Sequence, residues 1–374
     1  MNILTVMNTT QIISLQSNKV KATPFCCNHI FLANFKWIPF KLIASRLIYL
    51  ISALLSTLQI TAQQNPKIIE GFAQGTTYHI TYNDLENRDF KQEIDSVLFH
   101  FDLSVSTYNP RSIISKINRN EFVIVDEYFR ICFKEAKKIW KLTDGAFDPT
   151  VYPLVNAWGF GPNKKESLNQ SKIDSILKFV GFDKMELLDS TIIKRDPRVS
   201  LDFNAFAQGY SVDVISRFLE SKKIDSYIVE IGGEVYAKGR KNEFSTWKIG
   251  IEQPDENKET ENPILAIVSL DGLAVATSGN YRKFIALENG IKYAHHIDPV
   301  TGYPAKNNLL SVSVFSKSCL VSDAMATAFL VMGLPKTLKY LKKHRNIDAF
   351  LIYSDEIGNY QTFKTDGLQS IIEK

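Results

Sequence analysis

Cysteine is scarce in this chain, which has only four among its 374 residues. Cys26 and Cys27 lie in an N-terminal stretch, which leaves Cys132 and Cys319 for the rest of the protein. Two cysteines so far apart do not form a disulfide framework, and no cysteine follows the N-terminal apolar run to carry a lipid anchor. We therefore expect Cys132 and Cys319 to be buried free thiols.

Acidic residues are missing from residues 1–62, although that stretch contains five Lys or Arg. The formal net charge of +4 therefore belongs to this stretch, because the remainder contains 39 basic and 40 acidic residues. A balanced surface gives no general attraction for nucleic acid. The sequence accordingly predicts no nucleic-acid partner.

Residues 1–62 contain the segments of an export signal in their usual order. Three basic residues between positions 36 and 46 precede the apolar run Leu47–Ile60, and Thr61–Gln63 follows as a cleavage region. A membrane-spanning helix needs about 20 apolar residues, so the shorter run favours a signal peptide over a permanent anchor. The tract before Lys36 is either an extended leader or the result of a start codon placed too early. We predict that residues 1–62 are a leader and that the protein is periplasmic, either free or attached to the inner membrane.

Internal repeats, low-complexity tracts and linkers rich in Pro, Gly or Ser are absent after residue 66. A hydrophobic fraction of 45% and an aromatic fraction of 11% are typical of a folded globular protein and argue against long disorder. The length allows one large domain or two ordinary ones. We predict one compact catalytic unit with two lobes over residues 66–374.

Hydrophobic periodicity places strands and helices along this unit. Strands are predicted at Gly75–Tyr82, Tyr227–Ile231, Trp247–Ile251, Ile264–Leu270 and Leu310–Phe315, with a hairpin through Asp189 and Ser190. Helices are predicted at Asp89–Leu103, Tyr128–Leu142, Ser171–Val180, Gly209–Glu220 and Ser322–Met332. Strands and helices do not alternate regularly. The prediction is therefore an α+β fold with mixed or antiparallel sheets and packed helices, not a doubly wound parallel sheet.

The first motif with chemical content is Thr143–Thr150 (TDGAFDPT), which is followed by Trp158–Gly161 (WGFG). Gly145 permits close approach of the backbone, and the proline after Asp148 holds that residue extended. This arrangement suits presentation of a carboxylate and backbone groups to a ligand. The alternative is a capped turn between helix and loop, with Trp158 in the core.

Small residues precede a predicted helix in Leu201–Tyr210 (LDFNAFAQGY). Such a segment lets backbone groups approach an anion or a metal, and the N-terminal end of a helix favours phosphate. It is not a Walker loop, because the Gly-Lys-Ser/Thr ending is absent. Tight packing is the alternative.

A third motif is Glu230–Glu234 (EIGGE), in which a strand runs into a pair of glycines. In isolation such a pair is typical of an ordinary turn.

Two of only six histidines stand together at His295 and His296, before Asp298 and a Pro-x-Thr-Gly turn. Histidine titrates near neutral pH, and an Asp three residues later can share its site, which suits proton removal from a hydroxyl. A structural His–Asp pair at the turn is the alternative.

Asp323 and Thr327 are four residues apart, so on a helix they share a face. Both offer oxygen to a hard cation such as Mg²⁺. The alternative is a capping role, with Ser322 as the N-cap and Asp323 near the positive end of the helix.

Taken together, in this order and spacing, the segments resemble the ApbE family of FAD:protein FMN transferases over about residues 70–335. No single motif decides the resemblance, but the ordered set is specific. The set comprises Gly-Thr-x-Tyr from Gly75, Ser-Thr-Tyr-x-Pro-x-Ser from Ser106, Gly-Ala-Phe-Asp from Gly145, Trp-Gly-Phe-Gly from Trp158, Leu-Asp-Phe from Leu201, Gly-Gly-Glu from Gly232, Thr-Ser-Gly from Thr277, His-x-x-Asp-Pro-x-Thr-Gly from His295 and Asp-Ala-x-x-Thr from Asp323.

The resemblance implies the members of the site. Its magnesium ligands correspond to Asp323, Thr327 and the backbone carbonyl of Ala205. Its FAD contacts correspond to Gln74, Tyr108, Ala146, Phe147, Asp148, Asp202, Gln208, Ser278 and Ile297. Its catalytic residues correspond to His295 and Asp298.

The implied reaction is magnesium-dependent transfer of the FMN half of FAD to a Thr or Ser hydroxyl of another protein, with release of AMP. The implied acceptor is a flavin-carrying subunit of a membrane redox complex or an exported reductase. Two alternatives use the same site. An FAD pyrophosphatase would let water attack, and a non-catalytic protein would only bind FAD.

Two positions depart from the family pattern. Gln208 stands where many relatives have Lys, so a charge-assisted contact becomes neutral, which bears on FAD affinity and not on the type of reaction. His296 stands where an aliphatic residue is usual and adds a second candidate base. The offset from Asp298 and Pro299 favours His295.

Overall fold

Fifteen strands and seven α-helices occur in the part of the chain that the computed structural model describes, residues 66–161, 166–254, 264–280, 284–286 and 292–373. The strands are β1 Lys67–Ala73, β2 Thr76–Tyr82, β3 Met185–Leu188, β4 Thr191–Lys194, β5 Tyr227–Ile231, β6 Glu234–Lys238, β7 Arg240–Asn242, β8 Ser245–Glu252, β9 Ile264–Leu270, β10 Leu273–Gly279, β11 Phe284–Ala286, β12 Lys292–Ala294, β13 Leu309–Ser316, β14 Asp348–Ser354 and β15 Tyr360–Lys364. The helices are α1 Lys91–Val105, α2 Ile113–Asn118, α3 Glu127–Leu142, α4 Tyr152–Trp158, α5 Gln170–Leu177, α6 Ala207–Ser221 and α7 Cys319–Lys343. The predicted leader lies outside the described residues.

Every strand and helix predicted from the sequence is present, and the ends agree within three residues except at the end of α7. The main sheet has eight strands in the order β1-β2-β5-β6-β10-β13-β14-β15, and each neighbouring pair is antiparallel. A second sheet joins β7, β8 and β9. The predicted α+β class is confirmed, and the two-lobed outline stays a prediction.

Both faces of the main sheet are covered at its centre. All five residues of β5 are buried, which a strand shows when neither of its faces meets water. Val229 and Ile231 pack with residues of α6, whereas Ile228 packs with Trp247 of the second sheet. The sheet is therefore a rigid platform, and α6 and α7 are fixed on one side of it.

The helix α7 is the longest in the described residues and contains a break. Gly333 has φ +71° and ψ 170°, and Pro335 follows it, so the helix predicted to end at Met332 is continued after a kink. Its N-cap is Ser318, not Ser322, because the Ser318 side chain accepts from the Val321 N–H. In length and composition α7 is apolar enough to cross a membrane, but 61% of the apolar window is buried inside the fold, as in the core helix of a globular protein.

Cys132 and Cys319 are buried free thiols, as predicted. The Cys319 Sγ atom lies 3.7 Å from the Val235 carbonyl oxygen and 3.8 Å from that of Val275. Burial raises the pKa of both thiols well above its ordinary value. Both side chains are therefore packing residues rather than reactive thiolates.

Candidate active site

The starts of α6 and α7 are locked together, and this junction positions the site. Asp213 on α6 accepts hydrogen bonds from the Cys319 N–H at 2.8 Å, the Leu320 N–H at 3.1 Å and the Ser318 hydroxyl at 2.7 Å. A Cβ atom on Gly209 would lie 2.5 Å from the Cys319 carbonyl oxygen. Only glycine permits this close approach of the two helices. The sequence analysis did not identify Asp213.

Four of the predicted site residues converge beside this junction. The Thr327 hydroxyl donates to the Ala205 carbonyl oxygen at 3.4 Å, and the Ser278 hydroxyl lies 3.4 Å from the same Thr327 oxygen. Asp323 lies one turn earlier on α7, and its Oδ2 accepts the Gly209 N–H at 3.0 Å. Residues from β10, α7 and the segment before α6 thus present oxygen atoms to one place.

These oxygen atoms fit a hard cation. Asp323 is buried, and burial raises the pKa of its carboxyl to about 8. A carboxyl in this position needs a positive partner to be ionised near neutral pH. Among the described residues no group of three or more His, Cys, Asp or Glu could hold a metal. One carboxylate, one hydroxyl and one carbonyl suit Mg²⁺, which keeps water or substrate phosphate as further ligands, and do not suit Zn²⁺.

The side-chain amide of Gln74 approaches the start of α6, where Gln208 is the second residue. The Ser211 hydroxyl donates to the backbone carbonyl oxygen of Gln208 at 2.7 Å and lies 3.4 Å from Gln74 Oε1. The Gln74 Nε2 atom is buried without a hydrogen-bond partner, and its residue has φ +54°. A buried unused donor is costly unless a ligand accepts from it. Gln74 therefore has the property expected of a ligand contact.

The glycine pair is held against Gln208 by a carboxylate that the sequence analysis did not single out. Glu230 accepts the Gly233 N–H at 2.6 Å with Oε1, and Oε2 lies 2.6 Å from His79 Nδ1. A Cβ atom on Gly232, which has φ +66°, would lie 2.9 Å from Gln208 Nε2. The turn therefore forms a wall on which the Gln208 side chain rests.

The loop Ala146–Asp148 is fastened to the segment that carries Ala205. The Asp202 N–H donates to the Pro149 carbonyl oxygen at 2.9 Å, and the Phe147 ring packs edge-on against Phe206 at 5.5 Å. The buried Asp148 carboxylate accepts from Thr150 and, at 3.1 Å, from the Phe182 N–H. Its oxygens are thus used within the fold, so a ligand contact at Asp148 would come from its backbone.

Asp202 and Tyr108 form another group. Part of Asp202 reaches solvent. Burial removes water from its carboxyl, however, and this raises the pKa of that carboxyl to about 6. The pKa of Tyr108 is raised first by partial burial and then by the negative charge of Asp202, which places the two side chains within electrostatic range. Tyr108 is 62% exposed, so its ring is available to a planar ligand.

The raised pKa of Asp202 predicts a pH-dependent stability. An acid whose pKa is about 6 in the folded state and about 4 when unfolded stabilises the fold at low pH and loses that contribution as the pH rises through about 6. We expect the free energy of unfolding of Asp202→Asn, relative to that of the parent protein, to rise by about 1–3 kcal/mol from pH 4 to pH 7.5. Urea unfolding at the two pH values measures this change. Asp189→Asn, at an exposed turn, is the matched control. An equal difference at both pH values would contradict the prediction.

The predicted catalytic histidine, His295, lies between two aromatic rings. The His295 ring contacts Phe160 at 6.3 Å and His296 at 4.0 Å between centroids. His296 is buried, and its Nδ1 lies 3.0 Å from Asn280 Oδ1. Because the Asn280 amide nitrogen donates to the Leu309 carbonyl oxygen, Oδ1 is the atom that faces His296. Asn280 is two residues from Ser278, so the histidine pair lies near the same end of β10.

Asp298 stabilises the turn after the histidines. Its Oδ1 accepts the Val300 N–H at 2.8 Å and the Thr301 N–H at 3.4 Å. The Trp158 indole donates to the Gly302 carbonyl oxygen at 2.9 Å, and Ile297 is buried beside Trp158. These contacts give Asp298 a structural role within the turn and link the WGFG segment to it, and the predicted catalytic role of Asp298 stays a prediction.

Comparison with known proteins identifies the family. The model of the ApbE family matches residues 74–351 of the chain. This chain belongs to the ApbE family.

Its curated relatives are transferases. A protein named FAD:protein FMN transferase from Haemophilus influenzae is 34% identical over 313 residues, which cover 79% of this chain and 89% of the relative. A second, from Vibrio cholerae, is 35% identical over 274 residues, which cover 71% and 81%.

Solved structures agree with the fold described above. The flavin transferase ApbE from Vibrio cholerae matches with a TM-score of 0.75 and 31% identity, over 82% of this chain and 99% of that protein. The apo form of the Pseudomonas stutzeri flavinyl transferase ApbE matches with a TM-score of 0.73 and 30% identity, over 82% and 96%.

Proposed function

We propose that this protein is an FAD:protein FMN transferase that depends on Mg²⁺ and attaches FMN to a Thr or Ser of an exported flavoprotein. The names of its relatives support the transferase activity. The observation that carries the metal dependence is the convergence of the Ala205 carbonyl and the Thr327 hydroxyl one turn from buried Asp323. The predicted export signal supports an acceptor outside the cytoplasm, such as a subunit of a membrane redox complex or a secreted reductase.

The proposed reaction exchanges one phosphorus–oxygen bond for another. The acceptor hydroxyl oxygen bonds to the phosphorus of the FMN half, the bond from that phosphorus to the bridging oxygen breaks, and AMP leaves with the bridging oxygen. The hydroxyl proton goes to His295. Bound Mg²⁺ would neutralise phosphate charge and favour departure of AMP.

The side chains of this chain then have distinct tasks. Asp323, Thr327 and the Ala205 carbonyl would hold the cation. Gln74 and Gln208 would donate to phosphate or ribityl oxygens, and the exposed Tyr108 ring would cover the isoalloxazine. The loop at Ala146 would contribute backbone groups.

Mass spectrometry tests the proposal directly. A candidate acceptor co-expressed with this protein should gain the mass of FMN less water at one Thr or Ser, and the gain should require Mg²⁺. Rapid release of AMP from FAD without an acceptor, and no labelled acceptor, would identify a pyrophosphatase. Retention of intact FAD in the presence of Mg²⁺ and an acceptor would identify a binding protein.

The neutral residue at position 208 gives a further prediction. Gln208→Lys should lower the KM for FAD about fivefold with little change in kcat, because a hydrogen bond from a cation to phosphate is stronger than one from an amide by about 1 kcal/mol. Gln208→Met, which keeps the length but cannot donate, is the matched variant and should raise KM. Steady-state kinetics at saturating Mg²⁺ measures both. An unchanged KM in the Lys variant would show that this side chain does not reach the phosphates.

A further inference from the structure

A row of lysines covers one face of α3. Lys134, Lys137, Lys138 and Lys141 have the spacing i, i+3, i+4, i+7, which places them on one side of a helix. Only Lys141 lies in the last turn, where the helix dipole favours a cation. Like charges three and four residues apart destabilise a helix by about 0.2–0.5 kcal/mol per pair. Helix stability therefore does not account for the row.

The lysine row lines a cleft of about 550 Å³ between α3 and the β3–β4 hairpin. Phe133, Leu142 and Leu187 give it apolar walls, and among the described residues Glu186 is the only acidic one that lines it. Four ammonium groups against one carboxylate leave the cleft strongly positive. Elsewhere the charges of the chain after the leader are nearly balanced, so this is a local concentration of charge.

The lysines of the cleft differ in their internal contacts. Lys137 Nζ donates to the Met185 carbonyl oxygen at 3.3 Å and belongs to the wall. Lys138 Nζ lies 3.3 Å from a Glu135 oxygen at an exposed pair, which contributes little. Within the described residues Lys134 and Lys141 have no ion pair. The row therefore retains charge for an external partner.

We propose that this cleft binds an acidic segment of the acceptor protein, with apolar side chains on the cleft walls and carboxylates at the lysines. The proposal applies if the protein modifies another protein, as proposed above. An open groove that alternates apolar side chains with lysines is complementary in charge and polarity to a peptide segment that carries both acidic and apolar side chains. Leu142 in the cleft is four residues from Ala146, so their Cα atoms are at most about 15 Å apart. A segment bound in the cleft is thus close to the loop at Ala146.

A second lysine row separates the effect of charge from that of the cleft. Lys336, Lys339 and Lys343 on the last part of α7 are exposed and, like Lys134, Lys138 and Lys141, span two turns of one helix face. None of them lines the cleft. Charge reversal there changes the net charge equally without touching the proposed surface.

Fluorescence anisotropy tests the proposal with the purified protein and a short fluorescein-labelled peptide of Asp, Glu and Leu that contains one Thr. We expect Lys134→Glu combined with Lys138→Glu and Lys141→Glu to weaken binding at least about tenfold, because three favourable charge contacts become repulsive. Lys336→Glu combined with Lys339→Glu and Lys343→Glu should change binding less than about twofold. Binding of FAD should be the same in all three proteins. A failure of the transferase proposal is seen separately, in the mass-spectrometric measurement of FMN added to an acceptor by the parent protein.

The other outcomes each overturn the proposal. Equal weakening in both triple variants would show a general charge effect and no cleft. Unchanged peptide affinity in the α3 variant would show that the cleft does not bind acidic segments. Loss of binding to phosphatidylglycerol vesicles in the α3 variant, with peptide binding retained, would assign the lysine row to a membrane surface.

Discussion

Replacement of Asp323 by Asn is expected to lower FMN transfer at least about 100-fold, even at high Mg²⁺, because it removes the only carboxylate of the proposed cation site. The substitution is nearly isosteric, and its amide oxygen can still accept the Gly209 N–H that Asp323 accepts at 3.0 Å. The substitution should therefore remove the negative charge at position 323 without disturbing the folding of the protein. The amount of FMN added to a co-expressed acceptor, read as intact mass, measures it.

Thr327→Ser is the matched control on the same helix face. It keeps the hydroxyl that lies 3.4 Å from the Ala205 carbonyl oxygen, so we expect a loss of less than about tenfold. A thermal shift with Mg²⁺ should be present in the Ser variant and absent in the Asn variant. Normal FMN transfer by Asp323→Asn would exclude a cation held at this place.

Replacement of His295 by Ala is expected to lower the rate of FMN transfer about 10²–10⁴-fold at saturating FAD, which is the usual contribution of a general base. The affinity for FAD should be little changed, because the proposed role of His295 begins with the acceptor hydroxyl. Single-turnover measurement of AMP release with and without acceptor separates the chemical step from binding.

His296 provides the control for this prediction. Its Nδ1 is held by Asn280 at 3.0 Å, and the residue is buried, so His296→Gln should reduce transfer far less than His295→Ala. Its effect should be seen as a lower melting temperature. If His296→Gln abolished transfer and His295→Ala did not, the general base would be His296 and not His295.

Much of the fold could be predicted from residue patterns. The strand Tyr227–Ile231 and the helix Tyr128–Leu142 were predicted within one residue of their ends, because long periodic segments carry their own signal. The extension of α7 past Met332 was missed, since Gly333 and Pro335 are normally signs of an end. In this chain the second part of α7 continues after a kink.

The candidate site was only partly predictable. The spacing of Asp323 and Thr327 indicated these two residues, and the resemblance added Ala205 and Ser278. The supporting carboxylates Asp213 and Glu230 stand inside a helix and a strand. Glu230 opens the Glu230–Glu234 motif, which was interpreted only as a turn, and Asp213 has no local signal. Their partners are more than 100 residues away for Asp213 and about 150 for the His79 contact of Glu230, so only the folded structure identifies them.

The break at Gly333 has a practical consequence for this enzyme. The part of α7 before it carries Asp323 and Thr327 within the core, whereas the part after it has its lysines in water. Natural sequence drift at these exposed lysines, but not at the buried Tyr340 and Leu341, should leave the chemistry intact, and an affinity tag or dye attached to one of the lysines would report on the enzyme without disturbing it.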